Sequence, residues 1–117
     1  MTRPADFWRA LDALAAGAMV VDRPRGSAHP RYPATLYPLD YGYLAGTRAG
    51  DGSGIDVWRG SLPTPAVTAI VCTVDLEQRD AEIKVLLGCA PAEAQLVLAF
   101  HTSGAQSAWL IERPPDV

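Results

Sequence analysis

A tyrosine-bearing stretch, YPLDYGYLAGT at residues 37–47, leads into an acidic, glycine-rich turn, DGSGIDV at residues 51–57. Carboxylates on such a turn, here Asp51 and Asp56, can aim at one hard cation, because glycine lets the backbone fold back tightly. Tyrosine hydroxyls nearby can donate to phosphate oxygens while their rings pack the wall. The chemistry these residue types suggest is magnesium beside phosphate. A DG-x-G turn ahead of a strand is also the form of a plain hairpin turn, and the turn alone leaves both readings open. A second pointer is the single lysine, Lys84, set against nine arginines. Such a chain keeps one lysine either for chemistry that needs a compact point charge or by chance.

Short strands and two helices must position these groups. Pro4 suits a first helical turn, and Phe7, Leu11, Leu14 and Ala18 recur on one face, which predicts a helix over residues 4–16 stopped by Gly17. A short strand at 18–21 ends at Asp22 and Arg23. The proline-rich stretch 24–39 reads as a long ordered loop, a form usually tied to function. Strands are expected at 41–44 and 55–58, on either side of the acidic turn. The β-branched run 67–74 is the strongest strand signal, and 82–87 is its antiparallel partner across the polar turn 75–80. Glu82 and Lys84 are two apart on that partner and so share a face. A helix is expected at 92–101 and a short closing strand at 109–111. The expected fold is mainly β (α+β), a small OB-like closed β-barrel with flanking helices.

The length of 117 residues suits one domain, residues 1–117, and an apolar share of 49% is enough to build its core. A formal net charge of −3 argues against a nucleic-acid partner, which needs a basic face. No apolar run approaches the roughly 18–20 residues that span a bilayer. Asp6, Arg9 and Asp12 interrupt the N-terminal apolar stretch, unlike a signal peptide. The expectation is a cytoplasmic protein without membrane contacts. Cys72 and Cys89 have neither metal-ligand nor disulfide spacing and read as buried thiols. His29 reads as a loop hydrogen-bonding residue, and His101 as a helix-end residue interacting with the dipole. Trp8, Trp58 and Trp109 read as core or subunit contacts.

Three segments in order, VDRPRGSAHP at 21–30, YPLDYGYLAGT at 37–47 and DGSGIDV at 51–57, followed by an acidic segment ending at Lys84, resemble the soluble, magnesium-dependent family I inorganic pyrophosphatases. The resemblance covers residues 18–88 and is nearest to the short, single-domain proteins classed with that family. It implies Mg²⁺ as cofactor, pyrophosphate or a related phosphoanhydride as substrate, and a homo-oligomer. It places Arg23, Tyr37, Tyr41 and Lys84 on the substrate, with Asp56, Tyr41, Lys84 and Arg23 carrying catalysis. It assigns Asp51, Asp56, Glu77, Glu82 and Ser53 to the metal, with Asp75 and Asp80 competing for the acidic segment under a shifted register. The implied mechanism is attack of a water activated by two metal ions.

Two departures bear on activity. Ser53 stands where the family carries the middle aspartate of its metal turn, and a hydroxyl brings no charge to orient a nucleophilic hydroxide. The family's C-terminal Tyr-Lys pair is absent, since no tyrosine follows Tyr43 and no lysine follows Lys84. These favour the alternative of a non-catalytic phosphate- or pyrophosphate-binding or assembly module on the same scaffold. A third option, an oligonucleotide-binding barrel, lacks the basic-aromatic stripe it would need.

Overall fold

The structure is a computed structural model and describes residues 3–117. Helix α1 (Pro4–Leu14) is followed by β1 (Met19–Arg23), β2 (Asp40–Leu44), β3 (Asp56–Arg59), β4 (Val67–Asp75), β5 (Asp80–Leu87), α2 (Pro91–Phe100) and β6 (Gln106–Glu112). All six strands join one sheet in the order β1-β2-β3-β5-β4-β6. Every neighbouring pair is antiparallel except β3 and β5. The β4–β5 hairpin docks with β5 inward, which places β5 beside β3 and carries β4 outward.

Both helices start as their sequences dictate. Each has proline at its first position and an acidic residue at the third, Asp6 and Glu93, which accepts from the backbone N–H just before the helix. Glu93 also accepts from the backbone and hydroxyl of Ser61 (3.1 Å each), tying α2 to the β3–β4 connection. Helix α1 ends two residues earlier than its periodicity suggests, and β6 is longer than the three residues its apolar run marks.

Each face of the sheet has its own cover. On one, Trp8 of α1 packs with Leu44, Val57, Val67, Ile70, Val85 and Leu87. On the other, Ala94 and Val97 of α2, with Tyr37 and Leu39 of the long loop, pack on Trp58, Ala69, Val71 and Leu86. This corrects the expected closed barrel. The edge strands β1 and β6 do not pair, so the sheet stays open, and helices and loop bury its apolar faces in place of closure. The mainly β composition with two helices is as expected. Gly42 is required where it stands, because a Cβ there would overlap the Val20 carbonyl across the β1–β2 pair. No helix among the described residues is long and apolar enough to cross a membrane.

Candidate functional site

Three adjacent strands build the cluster. In the parallel β3–β5 register Val57 faces Val85, which sets the preceding residues, Asp56 and Lys84, side by side. On β2, Tyr43 lies opposite Asp56 and Tyr41 opposite Trp58, so Tyr41 is diagonal to Asp56 on the same face. Glu82 shares that face with Lys84. The Lys84 ammonium donates to Asp56 Oδ2 (2.5 Å), Glu82 Oε2 (2.5 Å) and, at a longer 3.5 Å, the Tyr41 hydroxyl. Lys84 is almost wholly buried, 6% exposed, while Asp56 and Glu82 keep partial contact with solvent.

Burial and charge set the protonation states. Burial alone would lower the Lys84 pKa, but the Tyr41 oxygen and the two carboxylates outweigh it and hold the ammonium above its ordinary value. For Tyr41 burial is the main cause and raises the pKa. Lys84 opposes that shift and Asp56 adds to it, so the hydroxyl keeps its proton. Tyr41 packs on Tyr37 (5.6 Å) and Trp58 (4.6 Å between ring centroids). The Trp58 indole N–H reaches Nε2 of His101 (3.0 Å), and Nδ1 of that ring meets Gln106 Oε1 (3.1 Å). Burial first, then Lys84, lower the His101 pKa to about 4.

The remaining sequence candidates fall around this cluster. Arg23 lies opposite Tyr41 across the β1–β2 pair, and no salt bridge among the described residues holds it. Tyr37, 6% exposed, belongs to the core through its ring. Asp51 lines one cleft of about 710 Å³ with Asp56, Asp80 and Glu82, among apolar walls from Leu11, Leu14 and Ile55. Its Oδ1 accepts from the Ser53 backbone N–H (2.9 Å), closing the turn on itself. Ser53 is exposed. Glu77 sits in the β4–β5 turn, its N–H donating to Asp75 (2.9 Å), and lines a different pocket with His29 and Phe100.

Magnesium is held by one or two carboxylates and fills its octahedron with water and phosphate oxygens. Asp56 and Glu82, both within reach of the Lys84 ammonium, fit one such ion. Among the described residues no group of three or more His, Cys, Asp or Glu side chains could hold a metal ion. The chain adds no charge at Ser53, spends an Asp51 oxygen within its turn, and carries Glu77 to another pocket.

His101 and Gln106 were missed from sequence. A histidine at a helix end suggests only a dipole contact, and the indole it meets lies 43 residues away. The one available signal was its place just past an apolar helix that has to cover the sheet.

No protein-family model matches the chain, and no curated protein matches it. Solved structures do. The inorganic pyrophosphatase from Helicobacter pylori aligns with a TM-score of 0.58 at 11% identity, over 80% of this chain and 81% of that one. The one from Thermus thermophilus aligns at 0.56 and 20% identity, covering 81% of each chain. The one from Neisseria gonorrhoeae aligns at 0.51 and 18%, covering 85% of each. The fold is that of the inorganic pyrophosphatases. At such identities the likeness is one of fold. In this pyrophosphatase fold, Lys84 touches Tyr41, Asp56 and Glu82, all residues that the motif resemblance singles out.

Proposed function

We propose that the chain hydrolyses a small phosphoanhydride, inorganic pyrophosphate first, at the cluster of Asp56, Glu82, Lys84 and Tyr41. The observation that carries this reading is the convergence of two carboxylates, an ammonium and a protonated phenol from three strands on one face. Mg²⁺, when bound, would offset phosphate charge and lower the pKa of a coordinated water. Asp56 and Glu82 would hold it. Lys84 would turn from them to the non-bridging phosphate oxygens as a movable point charge, and Arg23 would add a bidentate fork. Tyr41, kept protonated by burial, would donate to an oxygen and not act as a base. Asp56, released by Lys84, would accept the proton of the attacking water as the bridging P–O bond breaks. His101 has both ring nitrogens committed and takes no proton in this scheme. The reading extends to a cytoplasmic, self-associating protein whose net charge of −3 does not suit nucleic acid.

Incubation with Mg²⁺ and pyrophosphate tests it, with phosphate release as readout and Asp56→Asn as the disabled control. No phosphate above buffer background, with a reference enzyme active alongside, rejects hydrolysis. A second reading, a binding module without turnover, is favoured by the pairing of both carboxylates with Lys84 and by Ser53 in the turn. Calorimetry separates the two, since tight pyrophosphate binding without turnover selects the module. Absence of binding discards both.

A further inference from the structure

Strand β6 is a sheet edge with an unused hydrogen-bonding side. Arg113 N–H donates to the Thr68 carbonyl (2.9 Å), and Leu76 N–H donates to the Ala105 carbonyl (3.2 Å). These two bonds fix the alternation along the strand. Odd-numbered residues of β6 turn their backbone groups toward β4, and Ala108, Leu110 and Glu112 turn theirs outward. Sheet edges are ordinarily blunted by proline, lysine, bulges or shortness. β1, the opposite edge, carries such devices, with a register break between Val21 and Arg23 and charges at Asp22 and Arg23. β6, with the sequence QSAWLIE, has no proline, lysine or bulge, its one charge, Glu112, stands at its end, and its register against β4 is unbroken over seven residues. At its centre Trp109 is 73% exposed, with Ile111 at 42%. An indole left in water on an unprotected edge marks an interaction surface.

We propose that β6 pairs with β6 of a second copy of this chain, antiparallel, about a twofold axis at Leu110. An antiparallel strand pair is self-complementary, so one sequence supplies both sides. Centring on Leu110 sets Ala108 against Glu112 of the second copy. All three outward N–H groups and all three outward carbonyls of each strand are then bonded. A register centred on Trp109 would need the Gln106 N–H, which already donates to the Ser103 carbonyl (3.1 Å). The chosen register also sets the one charge of the strand, Glu112, against an alanine and not against itself. It places Trp109 opposite Ile111 of the second copy, a favourable aromatic–β-branched pair. Two six-stranded sheets become one continuous sheet.

Sedimentation from micromolar to millimolar protein, with residue-resolved amide exchange at both ends of that range, tests the proposal. The expected result is a concentration-dependent dimer in which the Ala108, Leu110 and Glu112 amides slow at least about tenfold on association. The Ser107, Trp109 and Ile111 amides, already bonded to β4, should be protected throughout. Trp109→Lys, at an exposed side chain, should give a folded monomer. Ala108→Pro should do the same, removing an outward donor and leaving the β4 ladder intact. A monomer at every concentration overturns the proposal. So does a dimer whose outward amides still exchange freely, or a Trp109→Lys protein that dimerises like its parent. None of these readouts involves pyrophosphate.

Discussion

The indole N–H of Trp58 donates to Nε2 of His101 at 3.0 Å, joining β3 to the residue that ends α2. Because an indole can only donate, Nε2 must accept, and the ring proton sits on Nδ1, facing Gln106 Oε1. The ring is neutral in the folded chain. Lys84 and Asp56 are the charged groups that act on it, with opposite signs.

That neutrality predicts a pH-dependent stability. The His101 pKa falls from the ordinary 6.5 to about 4 on folding. Between these values the unfolded chain binds the proton that the folded chain refuses. Stability from this residue is therefore complete above pH 6.5 and is lost as pH falls toward 4, by about 3 kcal/mol at most. Urea unfolding at pH 7 and pH 4.5 should show the loss, and His101→Gln should flatten the slope. An unchanged slope in that variant would place the dependence elsewhere.

Lys84→Met leaves Asp56 and Glu82 facing each other without a counter-charge. Breaking a buried ion pair from one side costs about 3–5 kcal/mol. The expected loss here is near the lower figure, because both carboxylates keep some contact with water. Adding Asp56→Asn and Glu82→Gln to the same protein should recover much of it. Denaturant midpoints of the single and triple variants measure the difference, and equal midpoints would refute the charge argument.

Gly42→Ala should part β1 from β2. The added methyl meets the Val20 carbonyl, which belongs to the backbone and cannot rotate away. The expected cost is about 2–3 kcal/mol, at the upper end for overpacking. Amide exchange should quicken first in β1.

Cys89 is buried, and burial, assisted by Glu93, pushes its thiol up to about 12. It should resist alkylation of the native protein at pH 8, since the thiolate is the reactive form. Cys72, only partly buried, should be labelled first. Mass spectrometry after a timed iodoacetamide pulse gives the order. Labelling of Cys89 as fast as Cys72 would show that α2 lifts readily from the sheet.

Local pattern made part of this molecule legible. The β-branched run in β4, the polar turn after it and the period of two in β5 sufficed to place Glu82 and Lys84 on one face. Proline at the start of each helix did the same for α1 and α2. What stayed hidden depends on which strands lie side by side. Alternation tells which face a side chain takes but not that β5 would run parallel to β3, nor that β1 and β6 would end as free edges. A barrel and an open sheet with covered faces share the same alternation. The site divides in the same way. The motif resemblance marks Tyr41, Asp56 and Lys84, and a spacing of two sets Lys84 on the face of Glu82. The Trp58–His101–Gln106 chain follows from packing, and no short-range signal encodes it.

The lone parallel pairing also dictates when the cluster can exist. The β4–β5 hairpin is local and can close early, but β5 reaches β3 only once the whole hairpin has swung into place. Asp56 and Lys84, 28 residues apart, therefore meet only once β5 has paired with β3. A chain stalled partway would hold each of these charges in water, apart and inert. Whatever chemistry they perform together requires that pairing, so a probe attached to that chemistry would report the joining of β3 and β5.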